Sequence, residues 1–195
     1  MELRLANPVR DAAQIADIYA PHVRDGFASF EAEPPDAAEM RGRIERTLRR
    51  TPWLVAVDDG SVIGYAYAGS HRERAGYRWS VDVSTYVGTE WQGRGVGSRL
   101  YRALFAILRA QGFVNVYAGV ALPNEASTRL HRSMGLREVG TYRQVGYKHG
   151  RWWDVTWFEG SLSTRVAQPA DPVALPDLLR TDAGRAAVET ALAGR

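Results

Sequence analysis

Three glycines in five residues, Gly93, Gly95 and Gly97, stand between a β-rich run ending at Tyr86-Val87 and an amphipathic helix. Lacking a Cβ, they let the backbone bend sharply and come close to a ligand. The helix starting beside Arg94 leaves its first N–H groups unpaired. With the positive end of the helix dipole, those donors suit a phosphate or pyrophosphate. Upstream, Asp82 sits inside an otherwise apolar strand, Trp79-Ser80-Val81-Asp82-Val83-Ser84. Aspartate is disfavoured there, and a buried charge is costly unless it is used or paired. Downstream, His131 lies on a helix opened by Asn124, and an imidazole of reference pKa about 6.5 suits proton movement near neutrality. A phosphorylated ligand and a proton transfer are the chemistry these residues allow.

The elements that must position them read off the apolar spacing. Glu2–Ala6 is a short strand and Asp11 the expected N-cap of a helix carrying Ile15, Ile18, Tyr19 and Val23. A loop, Gly26–Pro35, holds two aromatics, Phe27 and Phe30, and precedes a helix over Ala37–Arg50. Strands follow at Trp53–Val57 and Val62–Ala68 around the turn Asp58-Asp59-Gly60. A polar link, Ser70–Gly76, leads to a long strand over Tyr77–Val87. The helix Gly95–Gln111 puts Val96, Leu100, Leu104, Ile107 and Leu108 on one face and ends at Gly112. Then come a strand (Val114–Val120), a helix (Asn124–Met134) and strands at Arg137–Tyr147 and Arg151–Phe158. Consecutive strands in the first half imply antiparallel pairing, and the β-α-β passage in the second a parallel step. The expected fold is a mixed α/β sheet flanked by helices. Residues 1–160 form the expected domain; 161–195 read as a linker marked by Pro169, Pro172 and Pro176, then a helical tail over about Asp177–Leu192 interrupted by Gly184. We expect this last helix to dock on a dimer partner.

Bulk composition narrows the classes. The 195 residues include no cysteine, which removes disulfides, thiolate metal sites and cysteine nucleophiles. Lys148 is the single lysine, and the net charge of +3 rests on arginines interleaved with acids, so no nucleic-acid partner is expected. No apolar run approaches the ~20 residues that span a bilayer, and the N-terminus lacks an apolar export signal. We expect a cytoplasmic protein with no membrane partner. No histidine–carboxylate spacing suggests a metal.

Three phosphate-binding loops compete for Gly93–Gly97. A dinucleotide fingerprint needs G-x-G-x-x-G and an acid ~20 residues on, whereas the spacing here is G-x-G-x-G and Val114–Val120 has no carboxylate. A nucleoside-triphosphate loop needs a lysine that is absent. Gln92-x-x-Gly95-x-Gly97 directly after a strand resembles the acetyl-coenzyme A loop of the GNAT acyltransferases. Asn124-Glu125-Ala126-Ser127, followed by Leu130-His131 and Met134-Gly135-Leu136, is similar to that superfamily's second coenzyme-A motif. Phe30-x-x-Glu33-Pro34, Trp53–Ala56, Tyr65–Gly69, Gln111–Phe113, Leu122–Ser127, Gly146–Gly150 and Trp153–Val155 resemble the phosphinothricin acetyltransferases over about residues 2–160.

That resemblance implies a GNAT fold with a splayed parallel strand pair, acetyl-CoA as co-substrate, no metal and a homodimer. It implies that Tyr86, Val87, Gln92, Gly93, Arg94, Gly95, Val96, Gly97 and Ser98 hold the pyrophosphate and pantetheine, with Asn124 and Ser127 bonding the pantetheine arm. Asp82 falls where the family usually carries a glutamate general base; being shorter, it would reach through a water. His131 would protonate the thiolate or assist the base, and His149 is a fallback in the turn, whereas His22 and His71 have no supporting context. Arg72 and Arg74 would bind the acceptor's anionic end, with Phe30 and Trp79 as apolar walls. The acceptor would be a small glutamate-like amino acid such as phosphinothricin, methionine sulfoximine or methionine sulfone. A protein or peptide N-terminus, or acyl-CoA binding without catalysis, are the competing readings.

Overall fold

The computed structural model describes residues 1–194. Seven strands form one sheet in the order β1-β2-β3-β4-β5-β7-β6. They are β1 (Glu2–Leu5), β2 (Trp53–Asp58), β3 (Ser61–Ser70), β4 (Ser80–Val87), β5 (Asn115–Ala121), β6 (Arg137–Lys148) and β7 (Arg151–Ser161). Every neighbouring pair is antiparallel except β4 and β5, which run parallel. The helices are α1 (Pro8–Arg24), α2 (Ala37–Leu48), α3 (Val96–Ala110), α4 (Glu125–Ser133), α5 (Leu175–Arg180) and α6 (Asp182–Ala193). The mixed sheet flanked by helices follows the expected order of elements.

Alternation along the strands sorts residues to the two faces. Val81 and Val83 of β4, with Val116, Ala118 and Val120 of β5, meet Leu100, Leu104, Ile107 and Leu108 of α3 in the larger core cluster. On the opposite face, Val55 and Tyr65 meet Ile15, Tyr19 and Val23 of α1 and Met40 and Ile44 of α2. Asp82 and Ser84 point to this second face because their neighbours are committed to the first.

Local capping departs from expectation at α1. Asn7 is the N-cap, its side chain accepting from the Val9 and Arg10 amides at 3.0 Å each. Asp11 sits a turn inside, fully buried, where it accepts from the Asn7 amide (2.7 Å) and from Arg4 (2.6 and 2.8 Å). Those partners hold its carboxyl below the usual carboxylate range against the cost of burial. The long strand expected from Tyr77 begins at Ser80, because Ala75–Tyr77 forms a single 3-10 turn.

The tail is also corrected. It packs on its own chain: Leu175, Leu178, Val188 and Ala191 belong to the larger core cluster with α3. The Gln111 side-chain amide ties it down by donating to the Arg50 and Val173 carbonyls at 2.7 and 2.8 Å. The helical break falls at Thr181, whose hydroxyl caps α6 by accepting from the Gly184 amide at 3.0 Å. Gly184 is helical; a Cβ there would lie 2.0 Å from the Leu178 carbonyl oxygen, so the glycine permits close approach between α5 and α6.

Candidate active site

Strands β4 and β5 pair only over Ser80↔Asn115, Val81↔Val116 and Asp82↔Tyr117. Past Asp82 they separate, and β4 keeps its pairing with β3 as far as Gly64↔Val87. The edge of β4 facing β5 therefore presents backbone groups without a strand partner. Those groups look into a cavity of about 130 Å³ lined by Val83–Tyr86 on β4, Gly119–Ala121 on β5, and Asn124, Ser127 and His131 on and before α4.

At the downstream end of β4, the glycine-rich turn carries the chain into α3. Gly93 and Gly95 have φ of +72° and +80°, values that side chains other than glycine's rarely adopt. Gly95 is the N-cap of α3 and offers no side-chain acceptor to its first amides, which stay open to a ligand. Gln92 donates to the Val87 carbonyl at 3.4 Å, and the Arg94 guanidinium lies 5.1 Å from the Trp91 ring centre. Gly97 packs where a Cβ would meet Leu130 at 3.2 Å, so α3 and α4 approach closely behind the turn.

Asp82 lies at the point where the strands part, and it is not alone. The His71 Nδ1–H donates to its Oδ1 at 2.6 Å. Burial pushes the Asp82 carboxyl above its ordinary range, while His71 and the Arg72 charge pull it back. The His71 ring stacks on Tyr117 (4.2 Å, 20°) and meets the edges of Tyr77 and Trp157 at 5.9 and 6.4 Å. Expectation gave His71 no context; the antiparallel register Gly69↔Asp82 supplies it. The legible signal was a β-hairpin across the Ser70–Gly76 link.

His131 is 3% exposed. Its Nδ1–H donates to the Ser127 carbonyl at 2.7 Å, leaving Nε2 to accept from the Tyr101 hydroxyl at 3.2 Å. Burial holds this imidazole below its ordinary value, with the Ser127 carbonyl opposing, so it is neutral around pH 7. Asn124 spends its side-chain oxygen on the Ser127 amide, capping α4 at 3.1 Å. His22 also lines the cavity, edge-on to Tyr86 at 5.1 Å. His149 stays in its turn, bonded to the Gly26 carbonyl at 3.0 Å.

The acceptor-side residues divide. Phe30 lines a second cavity, about 380 Å³, with Tyr142, Val145, Val155 and Trp157, and this cavity shares Ala28, Gly119 and Ala121 with the first. Trp79 does not line it: its Nε1–H donates to the Ala170 carbonyl at 2.8 Å and Arg78 lies over its ring, so it faces the tail. Trp157 lines this cavity instead, because β7 lies beside β5. Arg72 and Arg74 open onto a larger groove, about 750 Å³, with Arg49, Arg50, Arg78 and Asp171. Of the two, only Arg72 is felt electrostatically at Asp82.

The family profile described as an acetyltransferase (GNAT) domain matches residues 3–157. The chain belongs to the GNAT acetyltransferases. This N-acetyltransferase is 40% identical over 173 residues to phosphinothricin N-acetyltransferase of Streptomyces viridochromogenes, covering 89% of this chain and 93% of that one. It is 36% identical over 163 residues to the L-methionine sulfoximine/L-methionine sulfone acetyltransferase of Pseudomonas aeruginosa, covering 83% and 95%. The crystal structure of a phosphinothricin acetyltransferase from Sinorhizobium meliloti in complex with acetyl-CoA superposes with a TM-score of 0.82 at 36% identity, over 88% and 94% of the two chains. Among the described residues no group of three or more histidine, cysteine or acidic side chains gathers as a metal site, and no helix is long and apolar enough to cross a membrane.

Proposed function

We propose that this enzyme acetylates the amine of a small glutamate-like amino acid, of the phosphinothricin or methionine sulfoximine kind, using acetyl-CoA. The observation that carries this reading is the opening between β4 and β5, flanked by the open N-terminus of α3 downstream and by Asp82 and His71 upstream. Val87 to Asp82 spans roughly 17 Å of extended chain, a track along which unpaired β4 backbone groups can hold an extended pantetheine arm.

The α3 amides and the residues Gln92–Ser98 bind pyrophosphate as a helix N-terminus does. Free N–H groups on the β4 edge stabilise the oxyanion, and a pre-organised donor of this type contributes roughly 3–4 kcal/mol. The Asp82 centre takes the proton of the acceptor ammonium. His131 and Tyr101 line the cleft where the thiolate departs, and its proton comes through this pair. Phe30 and Trp157 enclose the acceptor's apolar stem, and Arg72 attracts its anionic end. The exposed side chains of β6 and β7, Val139, Val145, Tyr147 and Trp152, form the surface we assign to a homodimer; light scattering that gives a monomer at assay concentration overturns this.

The test is thiol release from acetyl-CoA over a panel of amino-acid analogues, polyamines and peptides. Turnover should favour amino acids with a second tetrahedral polar group. Asp82→Asn and His131→Phe should each lower kcat while keeping acetyl-CoA affinity. Full activity in both variants, or a preference for peptide N-termini, overturns the reading.

A further inference from the structure

We propose that His71 is the catalytic base of this reaction, taking the ammonium proton on Nε2, and that Asp82 is its positioning residue. This rests on the acetyltransferase reading above and names the atom at its proton-accepting centre.

Three observations converge on Nε2. First, Nδ1–H is committed to the Asp82 carboxylate at 2.6 Å, which in the neutral ring leaves the lone pair on Nε2. Second, Nε2 makes no hydrogen bond among the described residues, and the side chain keeps 13% of its surface open. Third, the ring plane is set by stacking on Tyr117, which is the register partner of Asp82 across the last parallel pair before the strands part. Tyr77 and Trp157 close the ring's edges, and Trp157 is itself a wall of the acceptor cavity. The imidazole is thus oriented by a carboxylate and fixed by aromatic contacts, one of which is a wall of the acceptor cavity. A carboxylate holding one histidine nitrogen so that the other acts as base is a recurring catalytic arrangement. The charged and titratable groups facing it are Asp82, Arg72, Tyr77 and Tyr117.

An acceptor N–H bond breaks, its proton bonds to His71 Nε2, and the electron pair stays on nitrogen. The resulting imidazolium is paired with the Asp82 carboxylate. The freed amine forms the C–N bond to the thioester carbonyl carbon, the C–S bond breaks with its electrons on sulfur, and the nitrogen's second proton ends on that thiolate. His71 then returns its proton to water, so no oxidant or other reactant is needed.

His71→Asn tests the assignment, since its amide can still donate to Asp82 but offers no base. The expected result is a 10²- to 10³-fold loss of kcat with acetyl-CoA affinity and melting temperature unchanged. In His71→Gly, free imidazole should restore at least tenfold of the lost rate. If His71→Asn keeps most of its activity, Asp82 is the base and the proposal falls; absence of imidazole rescue in folded His71→Gly overturns it too. Failure of the acetyltransferase reading would appear separately, as wild-type protein releasing no thiol with any acceptor. In that event nitrogen-15 NMR of the full chain still decides the geometry: a His71 ring protonated on Nε2 rather than Nδ1 at neutral pH refutes the proposal.

Discussion

Replacing Gly146 with alanine should separate substrate binding from stability. The Phe30 ring lies over this glycine, and a Cβ built there would sit 2.3 Å from Cε2 and Cζ and 2.8 Å from Cδ2. Carbon atoms settle at about 3.5 Å or more, so the ring must withdraw by about 1.2 Å. The backbone around it cannot follow. Glu31 accepts from Arg43 twice at 2.8 Å and from the Tyr19 hydroxyl at 2.7 Å. On the other side, the Lys148 ammonium donates to the Ser29 carbonyl at 2.6 Å. The side chain therefore rotates outward, which it can do because Phe30 is 40% exposed. Gly146 does not occupy the left-handed region, so alanine adds no backbone strain, and its smaller unfolded-state entropy returns about 0.4–1 kcal/mol. The melting temperature should stay within about 3 °C of wild type. KM for the acceptor should rise roughly tenfold, about 1.4 kcal/mol of binding, while KM for acetyl-CoA is unchanged. Steady-state kinetics with each substrate varied in turn gives the answer. An unchanged acceptor KM in folded protein would refute the placement of Phe30 at the acceptor, and an equal rise for both substrates would refute the separation.

Three further outcomes follow from burial. Leu175 is 2% exposed within the same cluster as α3, so Leu175→Ala should cost roughly 2–4 kcal/mol, read by urea denaturation. Truncation after Ser161 should lower the melting temperature sharply while leaving subunit number as it was; an unaltered melt would contradict the packing. Burial holds His131, and His22 likewise, below the ordinary histidine value. The unfolded chain then binds more protons below about pH 6.5, so stability is present above that pH and is lost as pH falls, by at most about 1.4 kcal/mol per pH unit for each proton. His131→Gln should flatten this slope between pH 7 and 5.5; identical slopes would show that His131 titrates alike in the folded and unfolded chain.

Features that depend on neighbours along the chain were legible from the chain. The glycines of the α3 turn, the apolar face of α3 and the cap at Asn124 each work within a few residues, and so do the propensities behind them. Asp82 stood out for the same reason, as a charge in a run whose alternation was otherwise apolar. The misplaced cap at Asp11 shows the limit even of local rules. Asn7 competes for the same helix start, and the pull of Arg4 on Asp11 comes from β1 rather than from the helix.

What tertiary structure decided is who faces whom. His71 became part of the centre because the β3–β4 register brings Gly69 opposite Asp82, and one residue of slip would turn it to the other face. Trp157 rather than Trp79 lines the cavity beside Phe30 because β7 inserts between β5 and β6, an order that no local pattern encodes. The tail's apolar residues announced burial, but whether on this chain or another depended on the free surface of α3. Sequence alone determined which residues could bind phosphate and carry charge. Strand order and register, set by burying many side chains at once, decided which histidine meets the carboxylate.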